Sequence, residues 1–325
     1  MTKLLFATLL TISAVVAILV SAPGPTRADE VIYWSNREGD QLEQTDVTTG
    51  TTTVIENPTK GTGDPDSLIF DTKGNIIYSL TNTIWYGYPY AQLRSFNPKT
   101  LVDSVITPLT GQFSTDLRDL ALDPSGTSVL VSDLQNMQVI RVNLSTGART
   151  VLRQLSTFPN GLAYDNSGHL FVAAYDQILQ LDPTTGAILN SSPHLGYPNY
   201  LDGLTYDRGT NTLYAADNNH LQAFNPTTLA STAVAGSYIY GATFDGVQSD
   251  GLGHIIIADT GDEGVAQYDI ATATTKFLFS APGVDDIAPI VGLGSAAGSS
   301  VPAPATLLLL GPGLVGLAAL KRRLN

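Results

Sequence analysis

The chain has 325 residues, 29 acidic against 16 basic side chains, a formal charge of −13 and no cysteine. Without cysteine there are no disulfides, thiolate nucleophiles or cysteine metal sites, so an apolar core must hold the fold together. The acidic balance repels phosphate backbones and argues against any nucleic-acid partner.

Residues 1–28 have the layout of a secretory signal peptide. Lys3 supplies the positive start, Leu4 to Val20 the apolar core, and Thr26 and Ala28 the small positions before a cut ahead of Asp29-Glu30. An uncleaved anchor is the alternative, and both imply export.

The body, 29–291, is built on one repeat. Asp66-Ser-Leu-Ile-Phe-Asp71, Arg118-Asp-Leu-Ala-Leu-Asp123, Asn160-Gly-Leu-Ala-Tyr-Asp165, Asp202-Gly-Leu-Thr-Tyr-Asp207 and Asp245-Gly-Val-Gln-Ser-Asp250 recur. Leu68, Leu120, Leu162, Leu204 and Val247 are equivalent, at spacings of 52, 42, 42 and 43 residues. A turn follows each phrase, as in Pro124-Ser-Gly126 and Asn166-Ser-Gly168, and then a β-branched run such as Ile76–Thr81 or Leu170–Ala174. A later turn closes the third strand at Asn97-Pro-Lys-Thr, Asp182-Pro-Thr-Thr-Gly and their equivalents, with residues that preset φ or tolerate a left-handed backbone. Four short strands per repeat predict an all-β, six-bladed β-propeller. A two-sheet sandwich leaves the spacing unexplained, and a solenoid wants shorter repeats. The body begins at Val31-Ile-Tyr-Trp-Ser-Asn36, which reads as a second strand without a first. Val284 to Val291 supplies the missing one, because Ile287 lies 40 residues beyond Val247. Pairing the C-terminal strand with the N-terminal strands therefore closes the ring.

The residue two before each equivalent leucine should face the channel mouth: Asp66, Arg118, Asn160, Asp202, Asp245 and Asp285. Converging carboxylates repel unless a cation or Arg118 neutralises them, and hard oxygen ligands suit Ca2+ or another divalent cation. Asn160, Asp202, Asp245 and Asp285 are the candidate ligands. The other reading is that these side chains hydrogen-bond the loops at strand entry. Tyr197, Tyr200, Tyr238 and Tyr240 precede Asp202 and Asp245 and predict an aromatic rim, suited either to sugar rings or to packing the loops. His169, His194, His220 and His254 stand singly, without a zinc-binding spacing.

Phe158-Pro-Asn-Gly-Leu-Ala-Tyr-Asp165 and Leu201-Asp-Gly-Leu-Thr-Tyr-Asp207 resemble motifs of the SMP-30/gluconolactonase propellers. The resemblance implies a divalent-metal-dependent lactonase, with Asn160 a ligand and Asp202 a ligand or catalytic base. That family's glutamate is replaced by Asp285 or Asp286. Asp259-Thr-Gly-Asp262 is similar instead to the non-catalytic NHL-repeat propellers.

Residues 292–300 form a Gly/Ser linker. Beyond it, Pro302-Ala303-Pro304, an apolar run from Ala305 to Leu320 and the basic Lys321, Arg322 and Arg323 resemble the PEP-CTERM sorting signal of Gram-negative bacteria. An acidic residue is missing between the two prolines. The resemblance implies an exosortase partner for 301–325, membrane association through the tail before processing, and delivery to the cell surface or extracellular matrix. A permanent anchor is the alternative, although 16 residues fall short of the roughly 20 that span a bilayer. With both end segments removed, 11 basic residues face 29 acidic ones, a net charge of −18. The expectation is an exported, non-enzymatic binding or structural propeller, associated with extracellular polysaccharide, with the metal-dependent hydrolase as the alternative.

Overall fold

A computed structural model describes residues 31–56, 63–81, 91–109 and 116–289. The signal segment, the linker, the sorting tail and the Trp85-to-Tyr90 loop lie outside these residues. Six four-stranded antiparallel sheets make up the described chain, and no helix occurs among its residues.

Blade 1 contains β1 (Val31–Asn36), β2 (Gln41–Asp46) and β3 (Thr51–Glu56). Blade 2 contains β4 (Asp64–Phe70), β5 (Ile76–Thr81), β6 (Ala91–Asn97) and β7 (Val102–Pro108). Blade 3 runs through β8 (Leu117–Leu122), β9 (Ser128–Asp133), β10 (Gln138–Asn143) and β11 (Arg149–Gln154). Blade 4 has β12 (Pro159–Tyr164), β13 (Leu170–Ala174), β14 (Gln177–Leu181) and β15 (Ile188–Ser191). Blade 5 has β16 (Leu201–Asp207), β17 (Thr212–Asp217), β18 (His220–Phe224) and β19 (Ser231–Ala233). Blade 6 has β20 (Phe244–Ser249), β21 (His254–Asp259), β22 (Gly264–Asp269) and β23 (Thr274–Ser280). The last strand, β24 (Val284–Pro289), pairs with β1 and completes blade 1. Six blades and closure through Ile287 agree with the repeat spacing. His220 opens β18, because Asn218 takes the left-handed turn position and lets pairing resume at once.

The second strands are apolar throughout because alternate side chains enter different cores. Ile255 and Ile257 pack with Phe244 and Val247, towards blade 5. Ile256 and Ala258 pack with Trp34, Val284 and Ile287, towards blade 1. Six such clusters lie between neighbouring sheets, each drawing residues from two blades. No blade buries both faces alone, so the ring has to close. Ile287 is fully buried at the closing seam and Trp34 is 1% exposed beside it.

Ile287→Ala should therefore destabilise the whole disc by about 2–5 kcal/mol, and deleting 284–289 should abolish a single cooperative melt. Thermal unfolding followed by circular dichroism checks both. A deletion variant that melts as one unit at an unchanged temperature rules out the closure.

Candidate functional site at the channel mouth

One local irregularity positions every candidate residue. In each innermost strand the register slips by one, so that two residues face one on the second strand. These β-bulges hold Asp66-Ser67 against Ser79, Arg118-Asp119 against Ser132, Asn160-Gly161 against Ala173, Asp202-Gly203 against Ala216, Asp245-Gly246 against Ala258, and Asp285-Asp286 against Ser35. A bulge re-aims side chains and terminates regular pairing. Here it turns the first of each pair to the channel and the second towards the next blade.

The first positions are the residues expected from the sequence, and the structure brings them together. Arg118 feels Asp66, Asp116, Asp202 and Asp245, whose charges outweigh the burial that disfavours its own and raise its pKa. Its Nε lies 2.9 Å from Asp116 Oδ1. Arg37 approaches Asp285 from outside, at 3.6 Å. Asp66 and Asp245 are held well above the usual carboxyl range, first by burial and then by neighbouring carboxylates. Burial likewise pushes Asp202 up to about 7, against the pull of Arg118. The acids form hydrogen-bonded pairs, Asp66 with Asp285 and Asp202 with Asp245. Protons shared within pairs are a common answer to carboxylates that cannot all ionise. Between them lies a cavity of about 10 Å3, lined by Asp66, Arg118, Asp202 and Asp245, with about the room of one water molecule.

Asn160 is committed at both ends of its amide. Nδ2 donates to the Leu201 carbonyl at 2.8 Å, and Tyr200 Oη donates to Oδ1 at 3.4 Å. Among the described residues no three His, Asp or Glu side chains are arranged to hold a metal ion. Asn160, Asp202, Asp245 and Asp285 as placed thus do not fit a preformed divalent-cation cage. Asp259 is a loop cap, accepting from the backbone N–H of Thr243, Gly261 and Asp262.

The second positions escaped the sequence reading, apart from Asp286 as an alternative ligand. Asp119 Oδ2 accepts from Leu162 N of blade 4 at 2.6 Å, while its Oδ1 accepts from Leu120 N and from the Ser67 hydroxyl of blade 2. Asp286 does the same job two blades away, accepting from Ile287 N at 2.7 Å and Leu68 N at 3.4 Å. Burial comes first in raising both, to about 7 for Asp286 and well above the usual range for Asp119. Ser132 and Ser35 receive the bulged N–H groups of Asp119 and Asp286, each at 2.8 Å. On the opposite half of the ring these positions are Gly161, Gly203 and Gly246. A Cβ at Gly161 or Gly203 would strike the next blade's backbone, and one at Gly246 would strike Asp286. The available signal was the change of residue before each equivalent leucine: Ser, Asp, Gly, Gly, Gly, Asp.

Above the channel, the loops of blades 4 to 6 are linked. Asn218 Nδ2 donates to Pro198 O at 3.1 Å, while Asn218 O and Asn219 O accept from Phe244 N and Ile239 N. Buried Asp217 fixes Tyr200 through its backbone N–H, at 3.1 Å. Tyr197, Tyr238 and Tyr240 project from this assembly, 96%, 61% and 88% exposed. Tyr200 instead leans edge-on against Tyr175, with ring centroids 5.5 Å apart, and reaches down to Asn160. Tyr200 therefore joins rim to channel rather than standing on the rim.

The comparisons bear on the fold. The propeller is similar to a chain in the crystal structure of a nidogen/laminin complex, at 16% identity and a TM-score of 0.64, covering 80% of this chain and 97% of that one. It is similar also to a protein of unknown function from Bacteroides caccae, at 11% identity and a TM-score of 0.58, covering 81% and 99% of the two chains. A third similar structure, of unknown function, is from Bacteroides thetaiotaomicron VPI-5482, at 14% identity and a TM-score of 0.61, covering 74% and 67%. No protein-family description and no curated protein matches the sequence.

Two predictions follow from the bulge residues. Asp66, Asp119, Asp202, Asp245 and Asp286 bind protons more tightly folded than unfolded. They favour the folded state below a pH of about 4, and that advantage is lost as pH rises through the folded values, near 7 for Asp202 and Asp286. The melting temperature should fall by roughly 5–10 °C from pH 5 to pH 8, and a flat or rising profile contradicts the ionisation described. Asp119→Ala leaves two buried N–H groups unpaired and should cost about 2–5 kcal/mol in urea unfolding.

Proposed function

We propose that this propeller is an exported, non-enzymatic binding module that offers its channel-mouth face to a ligand outside the cell, extracellular polysaccharide being the ligand class favoured. The observation that carries the reading is the arc of Tyr197, Tyr238 and Tyr240, largely exposed on loops cross-braced by Asn218 and Asn219. Tyrosine offers both a flat face to stack on a sugar ring and a hydroxyl edge to hydrogen-bond it. A fold shared with a chain crystallised in a nidogen/laminin complex supports a binding or structural role. Export and sorting rest on residues 1–28 and 301–325, where an exosortase would act near Pro302 and Pro304. Arg322 and its neighbours would hold the tail's end on the cytoplasmic side until then. The released or re-anchored disc would lie at the surface or in the matrix.

The alternative, a divalent-metal-dependent lactonase, rests on Asp202, a carboxyl near pH 7 beside the small cavity. Arg118 already supplies a positive charge there, and Asn160 is already engaged, which weighs for the binding reading.

A glycan array probed with wild type and with a Tyr197→Ala/Tyr240→Ala variant separates the two. Binding to at least one polysaccharide, reduced ten-fold or more in the variant, is expected. Silence across the array removes the carbohydrate ligand. Hydrolysis of aldonolactones in the presence of Ca2+, abolished by Asp202→Asn, would establish the enzyme in its place.

A further inference from the structure

A second open site lies between blades 2 and 3, on the side of the disc away from the tyrosine rim. Its origin is a single short row of side chains. Across each blade, one residue from the second, third and fourth strands aligns by register. The rows read Tyr33–Gln44–Thr53, Leu130–Arg141–Thr150, Phe171–Gln180–Asn190, Tyr214–Ala223–Thr232 and Ile256–Gln267–Lys276. In blade 2 the row is Ile77–Ser95–Ser104. Four of the other rows place Gln or Arg where blade 2 has Ser95, and the fifth, with Ala223 there, has Tyr214 beside it on the second strand. Arg141 shows what the longer residue does, since its guanidinium crosses to the Pro183 carbonyl of the next blade. Blade 2 has nothing of that length, and a groove of about 550 Å3 is left open. That volume falls within the roughly 300–1,000 Å3 of ligand pockets.

The lining is chemically one-sided. Ser95, Thr72 and Lys73 line the groove, and their side chains have no hydrogen-bond partner among the described residues. Ser104 and Thr127 add hydroxyls, and Val105, Ile106 and Leu144 add aliphatic wall. The carboxylate at the groove, Asp71, is spent on the backbone N–H of Lys73 and Asn75 and on the Asn75 amide. Hydroxyls both donate and accept, so such a surface matches a partner made of hydroxyls, while the aliphatic wall suits the C–H edges of a pyranose ring. One lysine is too little to hold a polyanion. A peptide strand would need an unpaired backbone edge, but β5 and β6, which supply Ile77 and Ser95 to the lining, are paired on both sides within the blade and offer none.

We infer that the groove between blades 2 and 3 is a second binding site, for a short neutral oligosaccharide held by Thr72, Lys73, Ser95 and Ser104. The site stands apart from the tyrosine rim and does not depend on that rim binding anything. A disc with both sites would hold glycan on two faces.

Isothermal titration with four neutral tetrasaccharides, cellotetraose, laminaritetraose, maltotetraose and mannotetraose, tests it on the purified propeller. Three proteins are compared: wild type, Ser95→Arg and Tyr197→Ala/Tyr240→Ala. Ser95→Arg gives blade 2 the side chain that blade 3 already carries, and a melting temperature within a few degrees of wild type verifies that it folds. If it does not, Thr72→Val replaces it. The expected result is binding of at least one sugar by wild type and by the tyrosine variant, weakened ten-fold or more by Ser95→Arg. Equal affinity in wild type and Ser95→Arg overturns the groove. Loss in the tyrosine variant alone also overturns it, while leaving the mouth as the sugar site. No heat with any of the four overturns the assignment of a neutral oligosaccharide.

Discussion

The bulge at the start of each innermost strand is the constraint on which the rest of the molecule depends. A regular strand would send the residues two and one before the equivalent leucine to opposite faces. The slipped register instead gives each blade one side chain for the channel and one position for the seam to its neighbour. Repeated six times, that arrangement forms two stacked rings, one chemical and one mechanical.

The mechanical ring is built in two ways. Over blades 4 to 6, Gly161, Gly203 and Gly246 let each inner strand approach the next so closely that no Cβ fits. Around blades 1 to 3, Asp286 and Asp119 bridge the seams by accepting from the next blade's N–H groups, and the Ser67 hydroxyl donates to Asp119. Serines on the facing strand appear only in this second half, where Ser35, Ser79 and Ser132 receive the bulged N–H groups. Alanine suffices at Ala173, Ala216 and Ala258. The ring is thus pseudo-symmetric in backbone and asymmetric in chemistry. The raised carboxyls of Asp119 and Asp286 follow from that asymmetry, because a bridge reaching into a seam also leaves water.

How much of this could be read in advance differs between the two rings. The blade count and the closing strand were legible because hydrophobic spacing and turn residues are local signals, and Leu68 to Ile287 record them directly. The channel residues were legible too, since position within a repeat fixes direction. What Asp119 and Asp286 do was not legible, because their partners, Leu162 N and Leu68 N, are backbone groups on other blades and carry no side-chain signature. Tyr200 was misplaced onto the rim for a related reason. Tyr197 and Pro198 just before it are exposed, but a buried carboxylate, Asp217, holds its backbone N–H. Nor could spacing show that Asn160 would be used up by Leu201 and Tyr200.

The closing strand ties these strands of the argument together. β24 supplies Ile287 to the core, Asp285 to the channel and Asp286 to the seam, all within three residues. Ring closure and channel chemistry therefore form a single event rather than two. An unclosed disc would lack the hydrogen-bonding partner of Asp66, the acceptor for Leu68 N and the packing beneath Trp34 at the same time. A functional channel mouth can then exist only on a completed ring. Because this strand lies immediately before the Gly/Ser linker, a cut anywhere near Pro302 leaves all three contributions in place. Removing residues before 290 would cost all of them.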